Sequence, residues 1–145
     1  MTSLPDRDER GGSPAVEALL IVSSIVLLLS LATAGFRIAM AEGAVEGVAS
    51  AAARAASIAR TAGQARSDAH QVANSSFATA GLTCSSTSVN VDTSGFSVPV
   101  GQPASVAVSV SCSAPLQDLL IPGLGGSRVL SARSESPLDT YRERR

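Results

Sequence analysis

Residues 11–36 read GGSPAVEALLIVSSIVLLLSLATAGF, and from Ala18 to Ala34 this stretch carries no charge. Wound as a helix at ~1.5 Å per residue, the uncharged run spans ~25 Å, and its flanks extend it to the thickness of a bilayer. Leu19, Leu20, Ile21, Val22, Ile25, Val26, Leu27, Leu28, Leu29 and Leu31 each favour the membrane by roughly 0.3–0.6 kcal/mol, and together by ~3–6 kcal/mol. Glu17 opposes them. A carboxylate at the bilayer centre costs roughly 2.5–3.5 kcal/mol, on the analogy of Asp, and less near the interface. Insertion wins, with Glu17 at the shallow end, so the expected element is a transmembrane helix over residues 13–36.

On the N-terminal side, residues 1–12 include PDRDERGG, which is polar, charged and turn-rich. Such a segment buries too little apolar surface to pack and reads as a short leader. A secretory leader normally opens with clear positive charge, whereas this one mixes Arg7 and Arg10 with Asp6, Asp8 and Glu9. Ala32-Thr33-Ala34 before Gly35 does present the small-residue pattern of a signal-peptidase site. Orientation does not follow from charge counting, because Arg37, Arg54, Arg60 and Arg66 lie beyond the apolar run.

On the C-terminal side, residues 37–80 are rich in alanine and free of proline, which favours helix. Ile38, Ala41, Val45, Val48, Ala49, Ala52, Ala56 and Ala59 recur at helical spacing. Gly43 and Gly47 form a small-xxx-small pair and are candidates for close helix packing, although an Ala/Gly-rich helix produces that spacing easily. One unbroken helix from Pro14 to about Val72 would be ~90 Å long, with a bend expected near Gly43–Gly47 or Gly63. A helix this narrow and weakly apolar needs a partner: its own β-region, a sister helix or a fibre core.

From Gly81 the period changes. Val89 and Val91 alternate with polar residues; Phe96, Val98 and Val100 follow the turn Asp92-Thr93-Ser94-Gly95. After Gly101-Gln102-Pro103, Val106, Val108, Val110 and Cys112 alternate with Ser and Ala, and another strand is expected over Ser127–Ser136. Period-two alternation broken by Gly and Pro reads as antiparallel strands with one buried face. Between them Leu116, Leu119, Leu120 and Ile121 are available to cover the sheet or touch lipid. The expected fold is α+β: a long N-terminal helix, half transmembrane and half Ala-rich, then a small antiparallel sheet of three to four strands over residues 81–137. A charged tail, 138–145, is expected to fray.

Composition excludes several functions. The chain has 145 residues and a formal net charge of -1, with no Lys and no Trp. That is room for one small domain beyond the helix, built on Val, Leu and Ala. No basic patch large enough for nucleic acid is visible. His70 is the only histidine and has no neighbouring thiol or nitrogen ligand, so no metal site is expected. No serine has a histidine base within any motif and there is no phosphate loop, so neither catalysis, a cofactor nor a small-molecule substrate is expected. Cys84 and Cys112 form no CxxC pair. In an exported domain they are expected to join in one disulfide, closing a loop worth ~3–4 kcal/mol; the alternative is two buried thiols.

Gly12, then Ser13, Pro14 and Glu17, then the apolar helix, resembles the processing site of type IV prepilins. Glycine lets the backbone enter a tight protease cleft, Pro14 suits a first helical turn, and Glu17 complements the helix dipole there. The resemblance implies cleavage after Gly12 by a membrane-embedded aspartyl prepilin peptidase on the cytoplasmic side. Ser13 would become the new N-terminus, and its ammonium a partner for Glu17 of a neighbouring subunit. The whole chain is similar to the TadE-like minor pseudopilins of tight-adherence (Flp) pilus systems. That likeness covers the leader, the Gly12/Ser13 and Glu17 motif, the helix, and the closing strands SVAVSVSCSAPL and IPGLGGSRVLSARSESPLDTYR. Ala18 departs from the pattern, since an aromatic commonly follows the glutamate. The resemblance implies a cytoplasmic-membrane protein with its N-terminus inside and its β-region outside. Its expected partners are the membrane, the peptidase, other pilins and the assembly platform, and its expected role is to initiate, cap or regulate a fibre.

Two other readings belong to different classes. Cleavage after Ala34 would release a soluble binding or adhesion module. An uncut chain would be a single-span envelope scaffold, with Gly12 and Glu17 coincidental.

Overall fold

A computed structural model describes residues 14–119 and 125–141. The chain divides into two compact units, Met1–Thr33 and Ala34–Arg145. Helix α1, Pro14–Ile58, begins in the first unit and ends in the second. In the first unit, every described residue is exposed.

The second unit is a layer of helix on a layer of sheet. Strands β1 (Ser86–Asp92), β2 (Ser105–Pro115) and β3 (Ser127–Pro137) form an antiparallel sheet with β2 in the centre. The register places Val89 opposite Val110 and Val110 opposite Ala132, so the apolar positions share one face. Val106, Val108, Val110, Cys112 and Ala114 of β2 are all buried there, with Leu130 of β3. The α+β expectation therefore holds, with three strands.

The helical layer is built almost entirely on alanine. In α1 the buried residues are Ala41, Val45, Val48, Ala49, Ala52, Ala53 and Ala56. In α2 (Ala62–Thr79) they are Ala65, Ala69, Ala73 and Phe77, one per turn. Methyl-sized side chains let α2 come close to β1, and the valines supply the bulk of the core from the sheet side.

Two expectations are corrected. The chain does not continue as one helix to Val72. It leaves the helix at Ala59–Thr61, before Gly63. Thr61 caps α2: its hydroxyl accepts from the N–H of Gln64 at 3.1 Å, and Gln64 Oε1 accepts from the N–H of Arg60 at 3.4 Å. These bonds satisfy backbone donors left open at a helix start. Thr61-Ala62-Gly63-Gln64 is close to a capping box, a signal present in the sequence. The chain then doubles back, since Ser75, Ser76 and Thr79 share a groove with Ala44, Gly47 and Val48. Gly81, at φ +66°, takes the left-handed conformation just past α2 and ends it.

The second correction concerns Phe96–Val100, which forms no strand. Residues Ser94–Ser97 make a 3-10 turn, with Phe96 buried and Val100 exposed. Both edges of β2 are already occupied by β1 and β3, so this segment has no free partner on the central strand. It is held by its start: the N–H of Ser94 donates to Asp92 Oδ1 at 3.0 Å. That bond, with the Ser94 hydroxyl and the Arg133 charge, holds the Asp92 carboxyl below its ordinary pKa.

Gly95 is where this turn meets β2. A Cβ there would fall well inside contact distance of the Ser105 carbonyl and close to Leu138. The close neighbour is backbone and cannot swing away. Gly95→Ala is expected to destabilise the second unit by about 1–3 kcal/mol, read as a lower urea midpoint. An unchanged midpoint would show that the turn has room to move.

Candidate functional site

Three features carry chemistry or contact. The first is the start of α1. Gly12 and Ser13 lie outside the described residues, while Pro14 is the first helical residue and Glu17 stands in the first turn. Proline lacks an N–H that would be unpaired there anyway, and the carboxylate faces the positive end of the helix dipole. Beyond Glu17 the next charge is Arg37. Between them the surface is apolar and bare, with Leu27 and Leu31 each 70% exposed. Three of the four hydroxyl side chains in this run bond to their own helix. The hydroxyls of Ser24 and Ser30 donate to the carbonyls of Leu20 and Val26 at 2.8 Å, and that of Thr33 to Ser30 at 2.9 Å. In hydrocarbon this removes the penalty for an unpaired hydroxyl. This helix is long and apolar enough to cross a membrane.

The second feature is the covalent staple. Cys84 and Cys112 are joined by a disulfide, with their Cα atoms 5.4 Å apart. It ties the segment entering β1 to the buried face of β2. Next to it, the N–H of Ser85 donates to the Ser113 carbonyl at 2.8 Å, continuing the β1–β2 ladder. Elsewhere the unit is closed by polar contacts between layers. Arg66 of α2 donates to Thr93 Oγ1 at 2.7 Å, Ser136 of β3 to Ser57 of α1 at 3.1 Å, and Arg128 pairs with Glu42 at 3.0 Å. The last pair is half exposed, which limits it to roughly 1 kcal/mol or less. Glu42 meets Arg128 and Ser57 meets Ser136, so this part of α1 runs alongside β3 in the same direction.

The third feature is surface. Gly43 and Gly47 are exposed, and a Cβ on either would meet nothing within 4 Å. Among the described residues they therefore make no close helix contact, although Gly47 borders the groove shared with α2; the buried alanines lie on the opposite side of α1. An open groove of about 420 Å³ lies near the start of the second unit, lined by Phe36, Arg37, Met40, Ala44, Leu82 and Ala114 among others. The sheet's outer face is mostly polar, with Ser88, Ser111 and Ser131 in one row and Asn90, Ser109 and Arg133 in the next, and it also carries the exposed Val129. Leu120 and Ile121 lie outside the described residues. His70 is exposed, and among the described residues no three His, Cys, Asp or Glu side chains gather as a metal site would require. Sequence reasoning named the staple and the helix; it missed the groove, because Phe36 and Leu82 are far apart in the chain.

Comparison with protein-family models, with curated proteins and with solved structures finds no match.

Proposed function

We propose that this chain is a minor pseudopilin of the TadE-like kind, an assembly subunit of a tight-adherence pilus and not an enzyme. The observation that carries the reading is the join of two unlike parts. A bare apolar helix with one acid, Glu17, in its first turn leads directly into a small disulfide-stapled head. Prepilin chemistry asks for such an N-terminus: a glycine at the cut, a helix starting just after it, and a carboxylate near the new ammonium. The disulfide supports an oxidising compartment for the head, and with it the reading that the leader lies on the cytoplasmic side. The chain is then a single-pass protein of the cytoplasmic membrane, handed by the prepilin peptidase to other pilins and the assembly platform.

The rival cut after Ala34 falls inside the unbroken α1. A peptidase takes its substrate extended, so that cut would need a helix to unwind locally.

The test is the N-terminus of the mature protein, read by mass spectrometry of membrane and sheared-surface fractions. A chain starting at Ser13, and a Gly12→Val variant that stays uncut and lowers piliation by tenfold or more, support the proposal. A start at Gly35 would establish a secreted module, and an intact leader in the wild type an uncut anchor. Either result sinks the pilus reading.

A further inference from the structure

The groove near the start of the second unit is unexplained by that role. Its floor is apolar, with Ala41, Ala44 and Ala114, and Leu82 forms one wall. Phe36 and Met40, one helical turn apart, line it yet remain 66% and 60% exposed. Leaving two large apolar side chains in water forgoes a sizeable burial energy. Arg37 lines the same groove, and among the described residues no ion pair or hydrogen bond involves it. The combination is an apolar trough with an unpaired cation at its lip.

We propose that this groove seats a phospholipid of the bilayer that α1 crosses, with an acyl chain against Phe36, Met40 and Leu82 and the phosphate on Arg37. The proposal rests on the membrane reading of α1. Three arguments select lipid over other occupants. Phe36 closes the apolar run within the same helix, and Met40 lies only ~6 Å of helical rise beyond it. The polar layer on each side of the hydrocarbon core is ~5–8 Å deep, so Phe36–Met40 falls within it. Methionine is unbranched and adapts to a mobile chain, and a guanidinium matches phosphate in both charge and geometry. Such a lipid would fix the depth of the head at the membrane before assembly and would have to leave when a neighbouring subunit takes its place.

The chain has no Trp, so single tryptophans report position cleanly. Full-length Leu27→Trp, Met40→Trp and Ala39→Trp proteins are placed in nanodiscs of phosphatidylethanolamine and phosphatidylglycerol, with lipids brominated near the headgroup or deep in the chain. Ala39 is exposed at the height of Met40 but is not among the residues that line the groove. Deep bromines are expected to quench the Leu27→Trp reporter, which tests insertion. Shallow bromines are expected to quench the Met40→Trp reporter at least threefold more than the Ala39→Trp reporter, and Arg37→Glu to remove that difference. Equal quenching at 39 and 40 overturns the groove and leaves the membrane helix standing. A blue-shifted Met40→Trp reporter without bromine quenching would mean a protein neighbour and also overturns it. Absence of quenching at 27 sinks both.

Discussion

Converting Cys84 and Cys112 together to alanine is expected to lower the stability of the second unit by about 3–4 kcal/mol. The bond closes a separation of 28 residues, and on the chain-entropy view that loop freedom returns to the unfolded state. The loss is large against the roughly 5–15 kcal/mol total of an ordinary domain. It is larger still in proportion here, because the core is made of alanines and valines and contains Phe77 and Phe96 as its aromatics. Cys112 is fully buried on the inner face of β2, so a serine there would add an unpaired hydroxyl; alanine isolates the effect of the bond. The measurement is urea unfolding of the full chain in nanodiscs, followed by amide protection in β2. Reduction of the wild type should shift the midpoint by a similar amount. A change below about 1 kcal/mol in both would show that the bond merely decorates a fold already complete.

Ala49→Leu should cost about 1–3 kcal/mol, and more if the helix cannot retreat. Ala49 has no exposed surface, and its neighbours along the seam, Ala52 and Ala56, have none either. A branched side chain there must push α1 away from the sheet, breaking contacts along the whole seam at once. Gly47→Ala, two residues earlier, is expected to go the other way. Nothing lies within 4 Å of a Cβ at that position, and replacing glycine inside a helix recovers roughly 0.5–1 kcal/mol of backbone entropy. Opposite signs at neighbouring positions are the signature of a helix with one face committed to methyl-sized packing. Equal and small effects at both sites would mean that the seam is loose.

Much of this architecture was legible before folding. The apolar run declares by composition and length a helix able to cross a membrane, since in hydrocarbon a backbone has few alternatives to internal bonding. Ala41, Val45, Val48, Ala49, Ala52 and Ala56 mark the buried face by spacing, and the β2 valines mark theirs by alternation. Under the proposed function, Gly12, Ser13 and Glu17 are a processing motif, and such a motif is read from the order of residues and not from the fold. Where the helix turns over was also signalled, by Thr61 and Gln64, but an alanine-rich segment without proline masks the stop: propensity favours continuing, and the cap prevails because it lets α2 fold back on the sheet.

Other features required the folded chain. Phe96, Val98 and Val100 alternate like a strand, yet β2 has only two edges and both are taken; pairing is a non-local competition that no short window contains. Gly43 and Gly47 look like packing residues until the fold turns their face outward. The groove at Phe36, Met40 and Leu82 exists only because α2 returns beside α1 and the chain leaves it at Gly81. Periodicity along the chain was enough to determine the long apolar helix, the buried face of its alanine-rich part and the strands β1, β2 and β3, since those depend on near neighbours and on solvent; it did not determine the break at Ala59–Thr61 or the turn at Ser94–Ser97. Which faces meet, which strands pair and what surface stays bare depend on residues far apart in sequence, and only the tertiary structure decided them.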